Sequence, residues 1–134
     1  MLTIEKVIML KSVSIFSRVP EEMLIEVAGV AEERECAAGE VVFRQGDLGT
    51  SLYIIVRGQV KVHQGSRQLA VLGERQVFGE LSALDPEPRS ATITALEETL
   101  LFEIDRDALY ELLAEFVEVA QGIIQVLCQR LRAG

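Results

Sequence analysis

From about Arg34 to Ile104, Gly39, Gly46, Gly49, Gly58, Gly65, Gly73 and Gly79 cut the chain into short runs rich in β-branched residues. Residues 40–44, 51–57, 59–63 and 68–72 read as strands between these turn positions, and 91–95 and 99–104 add two more. Short strands with regular turns fold as a sandwich or a small barrel. The spacing therefore predicts a mainly β, antiparallel β-roll of jelly-roll type over 34–104.

Helical spacing flanks this region. Residues 1–33 read as N-terminal helices, broken at Ser12-Val13-Ser14 and restarting at Pro20, a residue that suits a first helical turn. Met23, Leu24, Val27, Ala28 and Ala31 then share a face opposite Glu21, Glu22 and Glu26. Past Asp105, a plausible N-cap, two C-terminal helices are predicted over 105–134. Ala108, Leu109, Leu112 and Leu113 mark the first. In the second, from about Glu115 to Leu131, Val117, Ala120, Ile124, Leu127 and Leu131 follow a heptad-like seam for barely more than two repeats, too short to establish a coiled coil.

With 134 residues, 49% of them hydrophobic, the chain suits a single domain with a real core, expected to span 1–134. Its formal charge of -8 and the lack of a Lys/Arg-rich block argue against direct nucleic-acid binding. An anionic small ligand would have to be gripped locally, by one or two cations. The first ten residues carry Glu5 and Lys6 and no small-residue cleavage site, so they read as neither signal peptide nor membrane span. A cytoplasmic protein, or the cytoplasmic domain of a larger one, is expected. Cys36 and Cys128 lack metal or redox spacing, which favours reduced, mostly buried thiols. His63, the sole histidine, sits in the strand Val60-Lys61-Val62-His63 and anchors no metal site or catalytic set.

The chemistry concentrates in residues 78–92, Phe-Gly-Glu-Leu-Ser-Ala-Leu-Asp-Pro-Glu-Pro-Arg-Ser-Ala-Thr. Glu80 offers acceptors that suit a ribose hydroxyl, whereas the donor fork of Arg89 suits phosphate oxygens. Glu80, Leu81, Ser82 and Ala83 can form a short helix with free N–H groups, Pro88 stiffens the approach to Arg89, and the N–H groups of Ser90 and Ala91 complete a cradle. Taken one at a time, the same residues read as a turn, a solvated acid and a surface charge; their combination points to a sugar phosphate.

This run resembles the phosphate-binding cassette of cyclic nucleotide-binding domains, in its Gly79-Glu80-Leu81, its nine-residue step from Glu80 to Arg89, and its ending Pro88-Arg89-Ser90-Ala91-Thr92. An upstream block is also similar to that family: Gly39-Glu40-Val41-Val42-Phe43, Gly46-Asp47-Leu48-Gly49, Leu52-Tyr53-Ile54-Ile55 and Gly58-Gln59-Val60. The similarity runs from the N-terminal helices to Leu131. Pro86, the small Ala83 and Glu74-Arg75-Gln76 depart from the common family pattern.

The resemblance implies that Glu80 accepts from the ribose 2'-hydroxyl, that Arg89 pairs with the cyclic phosphate, and that Gly79, Leu81, Ser82, Ser90 and Ala91 line the pocket. Leu69 and Leu72 are candidates for contact with the base, with ordinary core packing as the competing reading. Gly46, Asp47, Gly49 and Gly58 are assigned to turns. The implied activity is binding, not catalysis: a regulatory module for cAMP, or less favoured cGMP, that moves its C-terminal helices, with no metal and no other cofactor. The competing expectation is a degenerate domain that keeps the fold for protein interaction or dimerisation. No DNA-reading, kinase, cyclase or channel segment is present, so the output domain is expected elsewhere, in a longer and even membrane-bound protein. A homodimer through the last helix is left open.

Overall fold

The computed structural model describes all 134 residues, and contacts divide them into two compact units, Glu32–Arg106 and a helical unit of Met1–Ala31 with Asp107–Gly134. In the first, eight strands make two four-stranded antiparallel sheets: β1 (Glu32–Cys36), β8 (Thr99–Asp105), β3 (Ser51–Arg57) and β6 (Val77–Phe78) in one, β2 (Val41–Phe43), β7 (Thr92–Ala95), β4 (Val60–Gln64) and β5 (Arg67–Leu72) in the other. This is the β-roll anticipated from the glycine spacing. Both sheets send side chains to one core, where Cys36, Tyr53, Ile55, Phe78 and Leu101 meet Val42, Val60, Ile93 and Ala95.

Two strands escape the sequence pattern. Residues 32 and 33 were expected in a helix, but helix α2 (Glu21–Val30) stops short and β1 begins at Glu32, with Glu33 pairing Phe102 and Cys36 pairing Thr99. Four of its five residues are charged, so no apolar alternation announces it. β6 holds two residues, and its pairing to Tyr53 and Ile54 is the only strand signal it has.

In the helical unit, α1 (Thr3–Lys11) carries Glu5 in its first turn and Lys11 in its last, complementary to the helix dipole. A 3-10 turn, Ser14–Phe16, fills the expected break, and Pro20 immediately precedes α2. Helix α4 (Arg106–Glu115) buries Leu109 and Leu112. Helix α5 (Val117–Ala133) buries Val119, Gly122, Ile123 and Val126, a face rotated from the heptad-like seam, of which Val117 and Ile124 are each 58% exposed and Leu131 82%. The rotation follows from Gly122, where a Cβ would meet the backbone carbon of Arg18 and nitrogen of Val19 at 2.9 Å. Helix and chain approach there because no side chain intervenes. No helix is long and apolar enough to cross a membrane.

Two helical glycines thus have opposite expectations. Gly122→Ala should lower stability by about 1–3 kcal/mol, since backbone must shift. Gly29→Ala, with nothing within 4 Å of the added Cβ, should raise it by roughly 0.5–1 kcal/mol through helix propensity. Urea midpoints of the two variants measure both; equal shifts would refute the close approach.

Candidate functional site

Residues 78–92 fold as anticipated around a short helix. Gly79 takes a left-handed φ of 79° that turns the chain out of β6. Helix α3 (Glu80–Leu84) follows, with the Ala83 N–H donating to Gly79 O at 3.1 Å. Ala83 is fully buried, Glu80 and Ser82 are half-buried, and Leu81 is exposed at the surface. Ser82 Oγ donates to Glu87 O at 3.5 Å, and Pro88 bridges to Leu48. Beyond them Ser90 is exposed and Ala91 buried, with Ser90 O accepting from Gln64 Nε2 at 2.9 Å.

Arg89 is the unusual member. It is 5% exposed, among three buried polar or charged residues. Its N–H donates to Asp47 O at 2.7 Å, and its own carbonyl accepts from the Gly46 N–H at 2.8 Å. Nη2 donates to Ser51 O at 2.8 Å, and Nη1 reaches Gly79 O at 3.5 Å. The guanidinium lies 4.0 Å from the centroid of the Phe43 ring, a cation–π contact, and Phe43 sits 5.9 Å from both Tyr53 and Phe78. Gly49 lies alongside, where a Cβ would collide with Nε and Cζ.

The seat is built of carbonyls and an aromatic face. Burial pulls the guanidinium below its ordinary pKa, while Tyr53, Glu103 and Asp47 pull it back up. Nε is buried and has no hydrogen-bond partner. A desolvated cation that keeps an unsatisfied donor has the chemistry of an anion receptor.

The structure joins Arg89 to Gly79, the residue before Glu80, so the two ends of the predicted cradle meet. Leu69 and Leu72 lie on β5: Leu69 is 44% exposed, whereas Leu72 packs on the roll core. The Gly46–Gly49 segment, assigned to a turn, does more than turn. It zips to the Arg89 backbone, and Gly49 has no left-handed φ; it is small because a guanidinium occupies its side. Phe43 and Ser51 gave no signal of their own, since an aromatic and a serine in strands read as packing and edge. His63 is a half-buried strand residue, its ring nitrogens 2.8 Å from Gly65 O and Thr94 Oγ1.

A β-roll with this cassette defines a class, and comparison with known proteins agrees. The cyclic nucleotide-binding domain family matches residues 33–116, and the chain belongs to that family. A CRP-like cAMP-activated global transcriptional regulator of Mycobacterium tuberculosis is 37% identical over 99 residues, covering 70% of this chain and 44% of that protein. The N-terminal domain of a transcriptional regulator from Streptomyces coelicolor superimposes with a TM-score of 0.87 at 35% identity, over 93% of this chain and 91% of that one. The regulatory domain of Toxoplasma gondii PKA, crystallised with cAMP, gives a TM-score of 0.76 at 29% identity, over 82% of this chain and 44% of that one. The chain spans about half the length of the curated relatives it matches.

Proposed function

We propose that the chain is a regulatory sensor module that binds a cyclic nucleotide, cAMP in preference to cGMP, and passes the event to its C-terminal helices. One observation carries the reading: Arg89, 5% exposed and seated on carbonyls, keeps a buried Nε without a partner. A cyclic phosphate would supply the missing acceptor and charge. Glu80 then accepts from the ribose 2'-hydroxyl, the backbone of Gly79, Leu81, Ser82, Ser90 and Ala91 surrounds the sugar phosphate, and Leu69 and Leu72 flank the base. The preference for cAMP rests on relatives, a cAMP-activated regulator and a regulatory domain crystallised with cAMP.

In this reading residues 1–134 act together as one cytoplasmic module, coupled to an output domain in a longer protein; that a relative is a cAMP-activated transcriptional regulator supports it. Ligand would favour the conformation that binds it better, and only that difference in affinity moves the helices. Thermal unfolding tests binding. At about 100 times its Kd, cAMP should add about 2.7 kcal/mol and raise Tm on the order of 10 °C, with cGMP doing less. No rise with either nucleotide at millimolar concentration would leave the interaction-module reading in its place.

The exposed apolar stripe of α5 favours a second role beside the first. Val117, Ile124 and Leu131 are spaced by seven residues and open to solvent, so a second copy of the chain can pack on them as a helix pair. Light scattering should show a dimer that Ile124→Glu converts to monomer; a monomeric wild type at high concentration would remove this role.

A further inference from the structure

The inward face of the roll carries a charge pair that the cassette does not account for. Across β3 and β8, Tyr53 faces Glu103 and Ile55 faces Leu101; across β1 and β8, Arg34 faces Leu101. Opposed residues share a sheet face, and Ile55 and Leu101 are in the core. Arg34 and Glu103 therefore project into the roll. Their side chains are 32% and 31% exposed, with Arg34 Nη1 3.5 Å from Glu103 Oε1. Both face the roll while keeping about a third of their surface in solvent.

Glu103 is wired toward the cassette. Its Oε2 accepts from Ser51 Oγ at 2.9 Å, and the carbonyl of the same Ser51 accepts from Arg89 Nη2 at 2.8 Å. One residue thus separates the carboxylate from the anion-seeking guanidinium. Arg34 is fixed by contacts of 3.5 Å to the Tyr53 hydroxyl and Val42 O. Exposed carboxylates are screened within about 8–10 Å at ordinary salt; Arg34 and Glu103, each about two-thirds covered, are screened less than that and keep part of their reach toward Arg89.

We propose that the Arg34–Glu103 pair sets the affinity of the Arg89 site for its anion, with Glu103 opposing the incoming negative charge and Arg34 cancelling that opposition. The role rests on Arg89 being an anion site, the reading given above, and Arg34 and Glu103 act as positioning residues rather than ligands. Removing Glu103 leaves an uncompensated cation on this face, and removing Arg34 leaves an uncompensated anion. Removing both restores the balance. Glutamine suits position 103, because its amide oxygen can still accept from Ser51 Oγ.

The test is titration of wild type, Glu103→Gln, Arg34→Gln, Arg34→Lys and the Glu103→Gln/Arg34→Gln double variant with cAMP by calorimetry. The same proteins are titrated with inorganic phosphate, followed by the Arg89 Nε–Hε NMR resonance, assigned by its loss in Arg89→Lys. For both probes, Glu103→Gln should bind about threefold to thirtyfold tighter and Arg34→Gln weaker by a similar factor. The double variant should return near wild type, and both single effects should shrink as salt is raised. Arg34→Lys, which keeps charge but loses the fork, should stay near wild type; a purely structural Arg34 would make it behave as Arg34→Gln. Unchanged or weaker phosphate binding in Glu103→Gln overturns the proposal, as does absence of any phosphate titration at Arg89. A wild type that binds cAMP no better than phosphate sinks the nucleotide reading instead, while the phosphate ranking still judges the ion pair.

Discussion

Replacing Arg89 with alanine is expected to weaken cyclic nucleotide binding by about thirtyfold to several-thousandfold, equivalent to about 2–5 kcal/mol. The size follows from burial. An exposed arginine–phosphate contact is screened and replaceable by water, but Arg89 has already left solvent and waits with an unpartnered Nε. Its desolvation is met by folding, so the anion encounters a prepared cation. Arg89→Lys should also fall well below wild type, since an ammonium keeps the charge but cannot hold Ser51 O and Gly79 O while presenting a further aligned donor. Isothermal titration with cAMP reads both; an alanine variant within threefold of wild type would refute the assignment of Arg89.

Gly49→Ala is expected to cost at least about tenfold in affinity, though residue 49 need not touch the ligand. The added methyl would occupy the place of Arg89 Nε and Cζ. What must yield is a side chain, so the guanidinium leaves its seat over Phe43 and gives up its bond to Ser51 O while the backbone stays in place. Gly79→Ala provides the contrast. There the Cβ meets Ser51 O at 2.9 Å, and the residue holds a φ of +79°, so the left-handed backbone adds about 1–2 kcal/mol of strain. Stability and affinity should then fall together. Calorimetry beside urea unfolding separates the cases, and a Gly49→Ala protein with wild-type affinity would show that the seat of Arg89 does not matter for binding.

Much of the fold was legible because its signals are local. Glycine positions bounded the strands, and β3 was placed to the residue because Ser51–Arg57 is a compact apolar run with a glycine on either side. The short helix α3 was likewise legible from its immediate neighbours, while the left-handed entry at Gly79 came only with the structure. β1 was hidden by its charges, although Arg34 and Cys36 turn inward while Glu33 and Glu35 face solvent. Which face of α5 is buried was hidden for a related reason: the helix carries two apolar stripes, and periodicity cannot say which of them packs. Gly122 and its contact with Arg18 and Val19 chose between them.

The candidate site divides along the same line. Glu80 and Arg89 could be picked from the chain because residue chemistry and a fixed short spacing are local properties, and their roles as ligands stay with the proposal. The carbonyl of Ser51, the ring of Phe43, the bare side of Gly49 and the interior pair Arg34–Glu103 lie 14 to 55 positions from Arg89 in the chain. They reach it only because antiparallel pairing folds β1, β3 and β8 into one sheet, β2 brings Phe43 in from the other, and the 46–51 segment zips onto the cassette. A residue type announces which bonds it can make. Whether its charge is desolvated, which donor is left unsatisfied and which counter-charge stands behind it are set by through-space distances, and those exist only once both sheets have closed.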